Sequence, residues 1–436
     1  MNNFNYRVMV SIATTTLAVD PNGWRINTCS FQQDAIMSYG EYQYVVLYRT
    51  LEDSDPLGPR VTSIGRKRLS IANLTWDFII FHDYVQTKDD GHNVISMGIS
   101  LDGIIHMAWD MHGDSIHYRK SVLGLATTKG ESRLTWLAAS FGPVQGQLDC
   151  EDKLFNFDEI TYPRFQTLDN GNLLLEFRSG RSGLGDCYIY QFSKFTHKWS
   201  QVGIYIHGVE NNAYIHGFDY CGCKLHVSWT YRDFVEDRTI ATSTSTLQAG
   251  PNGPENNHDL HYMYSPDYGL TWYNSKNVKL DAPVDIYQDT LAIEIGKYSG
   301  IMNQEGQCVG DDGSVHVLGR EYGKYFHYYK TSNEWRKEQI GDYEAPLFGA
   351  RGKVLVRNNP LLALLPLNGH EFVIVQKFGD KWNLLHQFHG LDGEPLVDRY
   401  SSGIYILQRE GDPENKEIGG RATGIRRRNI VVIEIV

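Results

Sequence analysis

Two stretches of the chain, 210 residues apart, carry matching residues at the same internal spacing. Asp102-Gly103-Ile104-Ile105-His106 is followed by His117-Tyr118, and Asp312-Gly313-Ser314-Val315-His316 by His327-Tyr328. Two looser copies lie between them: Asn170-Gly171-Asn172-Leu173-Leu174 leading to Cys187-Tyr188, and Cys221-Gly222-Cys223-Lys224-Leu225-His226 leading to His261-Tyr262. Each copy reads as a turn, a strand, a loop and a second strand that ends in an aromatic. A tryptophan then closes each unit: Trp76, Trp136, Trp199, Trp272, Trp335 and Trp382, separated by 60, 63, 73, 63 and 47 residues. A period near 60 over 436 residues predicts about seven units, and self-similarity at such a period marks a repeat architecture.

Within the units, short alternating segments are bounded by Gly, Asp, Asn and Ser, and helical periodicity is nearly absent. Four-stranded blades around a central axis satisfy both facts. The expected fold is therefore all-β, a seven-bladed β-propeller in which residues 1–436 form a single domain. The strands Val8 to Val19 and Ile430 to Val436 would share one blade and close the ring. Ser265-Pro266-Asp267-Tyr268-Gly269-Leu270-Thr271-Trp272 matches the Asp-box, a hairpin turn whose Asp bonds backbone amides while its Trp packs between strands. This motif bears on fold and not on chemistry.

A formal charge of −11 argues against a nucleic-acid partner, which needs clustered Lys and Arg. Arg426-Arg427-Arg428 is the one tight basic run, and it reads as a solvated approach to the last strand. No stretch nears the roughly 20 apolar residues of a membrane-spanning helix. The six cysteines, Cys221-Gly222-Cys223 included, lack metal-site spacing and are expected as free thiols.

Side chains alternate along a strand, so Met107, Trp109 and Met111 are expected to pack while His106, Ala108, Asp110 and His112 face the other way. Counted from the aligned positions His106, Leu174, His226 and His316, the fourth residue on is Asp110, Arg178, Thr230 or Arg320, and the sixth is His112, Gly180, Arg232 or Tyr322. In a propeller equivalent positions converge on the axis, so these polar residues could share a cleft. Mixed Arg, His and Tyr without excess carboxylate point to an anionic ligand. His106 recurs as His226 and His316 and reads as structural, whereas His112 does not recur. Loop-to-strand boundaries add Gly91-His92-Asn93, Thr161-Tyr162-Pro163-Arg164-Phe165 and Asn257-His258-Asp259.

Nucleophile-elbow, phosphate-loop, zinc-protease and dinucleotide motifs are missing. A glycosidase would want two carboxylates across the bond, and the converging positions offer mainly Asp110. Arg178, Arg232 and Arg320 invite a sialidase reading, but their flanking residues do not match one. Histidine, tyrosine and arginine together suit removal of a proton α to a carboxylate, with cations neutralising the carboxylate and an acid and a base flanking the bond.

Gly91-His92-Asn93 through Asp110-Met111-His112-Gly113 to His117-Tyr118 resembles the BNR-repeat family that includes propeller-type ulvan lyases and fungal L-rhamnosyl-α-1,4-D-glucuronate lyases. Thr161 to Phe165, Phe177-Arg178, His226 to Arg232, Asn257 to Leu260 and Asn303-Gln304 follow in the family's order, so the resemblance covers about residues 10 to 430. It implies a polysaccharide lyase that cleaves an α-L-rhamnosyl-(1→4)-D-glucuronate linkage by β-elimination, in ulvan or in gum arabic-type glycans. By the same resemblance His92, His112 and Tyr162 are the catalytic set, and Arg178 and Arg232 neutralise the carboxylate. Asn93, Arg320 and either Tyr214 or Tyr220 would join in binding substrate.

The chemistry needs no cofactor. The resemblance also leaves open a structural metal, calcium or zinc, or none, with His258 as its candidate ligand. The expected partner is an anionic polysaccharide or oligosaccharide containing rhamnose and glucuronate, bound by a monomer. An extracellular site of action is expected from such a substrate, with the cytoplasm as the alternative. The insertion Asp233 to Asn257 is expected to cap one end of the cleft and favour exo action. The competing readings are a sialidase-like glycoside hydrolase and a carbohydrate-binding propeller without catalysis.

Overall fold

A computed structural model describes residues 11–21, 25–29, 31–55, 57–70, 75–127, 135–150, 157–180, 183–234, 254–332, 334–346, 350–356, 360–411 and 428–435. The described strands form seven antiparallel sheets, mostly of strands consecutive in the chain, arranged as a β-propeller. Seven strands make the inner ring, one per blade: Ile36–Tyr39, Ile95–Ile99, Ile160–Thr167, Asn211–Cys221, Gly306–Val309, Lys353–Val356 and Leu391–Val397. From each, the chain runs outward through the second and third strands. The recurring tryptophans mark the outer edge, with Trp199, Trp272 and Trp335 each opening a strand.

The ring closes as the terminal patterns predict. Ile12–Asp20 pairs with Arg428–Ile435, in register from Ile12 opposite Ile435 to Asp20 opposite Arg428. The closing blade is completed by Ile404–Glu410 and Leu391–Val397. Val8 to Val10, Val436, Arg426 and Arg427 lie outside the described residues, as does most of the Asp233 to Asn257 insertion.

Blades pack through apolar faces on both sides of their middle strands. Ile105–Trp109 is buried along its whole length: Met107 and Trp109 face one apolar cluster and Ala108 the next. Trp109, Trp199, Trp229 and Trp272 are fully buried, and each contributes about 4–6 kcal/mol of gross burial before entropy is set against it.

The repeated histidine has a mechanical role. His106 Nδ1 lies 2.7 Å from the Tyr118 hydroxyl, His226 Nδ1 2.7 Å from the Tyr262 hydroxyl, and His316 Nδ1 2.9 Å from His327 Nε2. The motif read from the sequence is thus a cross-strand hydrogen bond, repeated blade by blade. In the Asp-box, Asp267 accepts from the Thr271 backbone amide at 2.8 Å and the Thr271 hydroxyl at 2.7 Å, above a fully buried Trp272. The six cysteines are free thiols.

Candidate active site

One end of the propeller collects the starts of inner strands and the ends of second strands, because the strands within each blade are antiparallel. Thr161, at the start of the third blade's inner strand, has Arg178 opposite it on one side and His112 on the other. The Thr161 hydroxyl also accepts the Gly113 amide at 2.9 Å. Segments 48 residues apart in sequence are thereby set side by side.

His112 does not reach this place by alternation. The strand carrying His106 ends at Trp109, Asp110 takes a left-handed φ of 58°, and His112–Asp114 joins the next blade's sheet. The expected continuous row from His106 to His112 is therefore broken at Asp110. Asp110 itself is buried and accepts from Asn93 Nδ2 at 2.5 Å, Gln86 Nε2 at 3.3 Å and the Tyr84 hydroxyl. This network fixes the floor of the site. It also engages the amide nitrogen of Asn93, a fully buried side chain, at the floor of the site.

The imidazoles of His92 and His112 stack, with centroids 3.8 Å apart and planes inclined by 13°. Phe31 covers the other face of His92 at 4.4 Å and 11°. His92 Nδ1 lies 2.5 Å from one oxygen of Asp90, and His112 Nδ1 2.7 Å from the other. Burial, helped by the charge of His112, pushes His92 down to about 4 against the pull of Asp90. His92 is therefore a neutral imidazole at neutral pH.

Tyr162 stands 5.5 Å from the His92 ring and 5.2 Å from Phe31. Its φ is 63°, inside a bulge where the register shifts between Thr161 and Arg164. A left-handed aromatic residue costs on the order of 1–3 kcal/mol and is held only where its surroundings demand it. Burial pushes its hydroxyl up to about 12, although Arg178 opposes the shift. Tyr162 therefore keeps its proton.

The Arg178 guanidinium lies 4.9 Å from the centroid of Tyr162 and 5.5 Å from that of Tyr214. It is buried, and its Nε and Nη1 atoms have no hydrogen-bond partner. Arg232 packs on Tyr214 at 4.4 Å and is steadied by Asn257 Oδ1 at 2.7 Å. Cys29, Phe31, Val94, Tyr162 and Tyr214 form one buried apolar cluster beneath the site.

The remaining expected residues stand elsewhere. Tyr220 is six residues beyond Tyr214 on the same strand, about 20 Å away at the opposite end of the ring. There it meets Tyr268 at 5.7 Å, near a cavity of about 320 Å³ in the central channel lined also by Gln166, His216 and Arg399. Arg320 sits at the position equivalent to Arg178, but Glu305 takes its Nε at 3.0 Å and Nη2 at 2.6 Å, and the Pro346 and Ala350 carbonyls accept from Nη1 at 2.7 Å and Nη2 at 2.9 Å. It is a buried structural ion pair with four of its five N–H groups already bonded within the protein. His258 fits a metal ligand no better: Nδ1 contacts Asp259 at 2.9 Å and Nε2 contacts Asp233 at 3.1 Å, and these two carboxylates raise it to about 9 against burial. Both ring nitrogens therefore carry hydrogen.

Asp90 and Phe31 were not visible as site residues. Asp90 had a signal, since an Asp two residues before a His can bond that residue's amide in an Asx turn, and the His92 amide does donate to Asp90 Oδ1 at 2.9 Å. Among the described residues, Asp90, His92 and His112 are the group whose spacing could admit a cation, with both Nδ1 atoms paired to the Asp90 carboxylate.

Comparison with known proteins adds kinship to this geometry. Residues 42–343 match the profile of a BNR repeat-containing family member. An ulvan lyase, short isoform, of Alteromonas sp. (strain LOR) is 26% identical over 238 residues, 46% of this chain and 44% of the relative. An ulvan lyase, long isoform, of Glaciecola sp. (strain KUL10) is 24% identical over 360 residues, 72% of this chain and 32% of the relative. The chain thus spans less than half the length of these curated relatives. The crystal structure of a polysaccharide lyase, Uly1, superposes with a TM-score of 0.69 at 17% identity, covering 95% of this chain and 92% of that one. A PL25 ulvan lyase bound to -[GlcA(1-4)Rha3S]- superposes with a TM-score of 0.64 at 15% identity, covering 91% and 93%. At these identities the structural likeness speaks for the propeller fold.

Proposed function

Since the chain belongs to the BNR repeat-containing family, on a match spanning well over half its length, we propose that it is a polysaccharide lyase acting by β-elimination on an α-L-rhamnosyl-(1→4)-D-glucuronate linkage. The observation that carries this reading is Arg178, a buried guanidinium with two unpartnered nitrogens beside a neutral imidazole and a protonated tyrosine. A buried cation of this kind calls for an anion. The uronate carboxylate supplies it, and its neutralisation makes the C5 proton removable.

His92 then takes that proton on Nε2. The electron pair left on C5 forms the C4=C5 double bond as the C4–O4 bond breaks, and the Tyr162 hydroxyl gives its proton to that glycosidic oxygen, which leaves as the anomeric hydroxyl of the rhamnose. The transient tyrosinate faces Arg178, and the imidazolium faces Asp90. Arg232 and Tyr214 hold the sugar ring beside them. No step draws on a cofactor. The relatives' names favour ulvan over gum arabic-type glycans as first substrate, and a polymer of that kind favours a site of action outside the cell.

The test is incubation of the protein with ulvan and with gum arabic while following the ultraviolet absorbance of the unsaturated uronate. A rise on either supports the lyase. Cleavage of an aryl glycoside with no rise on either polymer would overturn it in favour of a hydrolase.

A further inference from the structure

A neutral imidazole has two tautomers, and only the one with hydrogen on Nδ1 leaves a lone pair on Nε2. In this site one carboxylate faces both choices. Asp90 Oδ1 lies 2.5 Å from His92 Nδ1, and Oδ2 lies 2.7 Å from His112 Nδ1. An ionised carboxylate can only accept, so each ring must present Nδ1–H to it. Burial pushes the Asp90 carboxyl up, but the two histidines overcome this and hold it well below the usual carboxylate range.

Asp90 is itself anchored. Its Oδ1 accepts the His92 amide at 2.9 Å, and its carbonyl accepts the Asn93 amide at 2.9 Å, closing a tight turn over Gly91. Arg25 packs against that turn so closely that a Cβ on Gly91 would sit 3.0 Å from its Nε. The stack of Phe31, His92 and His112 keeps both rings from swinging out of line. A residue serving only as a turn cap would need one oxygen; here the second oxygen is spent on a histidine 22 residues away in sequence.

We propose that Asp90 is a positioning residue that holds His92 and His112 as a matched pair of Nδ1–H tautomers, so that both rings offer a basic Nε2. This rests on the lyase reading for its purpose but not for its test. Asp90 touches no reacting atom. It acts through the histidines, fixing the tautomer before proton abstraction and balancing the imidazolium after it.

The substitution Asp90→Asn separates this role from a structural one. A carboxamide accepts from one ring with its oxygen and must donate to the other with its nitrogen, which forces that second ring into the Nε2–H form. The measurement is two-bond ¹⁵N–¹H NMR on the full chain labelled at histidine, with His92→Gln and His112→Gln assigning the two signals. The wild type is expected to show Nδ1–H on both rings, and Asp90→Asn to show one ring flipped, together with a fall in kcat on ulvan of about 10²-fold or more at a similar KM.

An Nε2–H tautomer on either ring of the wild type overturns the proposal, and so does an Asp90→Asn variant in which both rings keep Nδ1–H. The wild-type spectrum alone decides the first point, whether or not the variant folds. Because the spectra need no substrate, correct tautomers with no unsaturated product would count against the lyase reading and leave the role of Asp90 standing.

Discussion

Arg178 lies 4.9 Å from the ring of Tyr162 with two of its nitrogens buried and unpartnered. A side chain in that state lowers the stability of the fold that holds it. The substitution Arg178→Met is therefore expected to leave the thermal midpoint unchanged or raise it by about 1–3 °C. Product formation should fall by about 10²–10³-fold or more. A clear loss of thermal stability with activity retained would remove Arg178 from carboxylate binding.

Arg320 occupies the equivalent strand position and should behave in the opposite way. Arg320→Met strands Glu305, a fully buried carboxylate, without its cation. Breaking such a pair from one side costs about 3–5 kcal/mol. Urea unfolding should show that loss, while the folded fraction keeps its kcat. An Arg320→Met protein of wild-type stability with impaired catalysis would reverse the assignment.

Tyr162→Phe keeps the packing against Phe31, His92 and Tyr214 and deletes the proton donor. The expected result is a 10²–10⁴-fold drop, in round numbers, in kcat with little change in unfolding midpoint. If kcat on ulvan is retained, another group protonates the leaving oxygen.

The pH profile should be broad. His92 titrates at about 4 in the folded chain against an ordinary imidazole value of 6.5, so the unfolded state takes up a proton across that window that the folded site refuses. Stability from this group is thus lost as pH falls from 6.5 toward 4. The groups facing it are Asp90, His112 and Arg25. With Tyr162 protonated up to about 12, kcat/KM should be flat from about pH 6 to about pH 9. An acid limb centred near the ordinary imidazole value would show that His92 is not the base.

His258 carries the reverse sign. Its folded pKa of about 9 exceeds 6.5, so the stabilisation it draws from Asp233 and Asp259 is complete below 6.5 and is lost as pH rises through 9. The difference in thermal midpoint between the wild type and His258→Gln should be constant at mildly acidic pH and shrink through the alkaline range. A difference that vanishes on chelator treatment at neutral pH would point instead to a bound metal.

The fold was legible because its signal is redundant. The Asp-Gly turns, the cross-strand His106, His226 and His316 bonds and the closing tryptophans all repeat at one period, so no single position had to be read correctly. Much of the site is written differently. His112 was singled out because it does not recur, but its path into the site depends on the left-handed Asp110, which no alternation pattern records. Arg178 and Arg320 are equivalent by count, and only the buried Glu305 beside the second tells them apart. Tyr214 and Tyr220 lie on one strand, and which end faces the histidines is fixed by the direction of that strand in the ring. Asp90 carries no such signal for its second contact, to His112 22 residues on, which exists only in the folded chain.

The pairing of Ile12–Asp20 with Arg428–Ile435 has a consequence for the chemistry as well as for the shape. The side chains of the site come from several blades, and Arg351, stacked 4.6 Å from Phe31, is tied to Glu394 of the closing blade at 3.0 Å. The spacing between the histidines, Tyr162 and the arginines is therefore set by the circumference of a hoop, and the hoop has a fixed length only after its two ends, more than 400 residues apart, have been fastened. Joining them is the slowest kind of contact for a chain to find. The geometry of the site is consequently tied to a strand pair that joins the two ends of the chain.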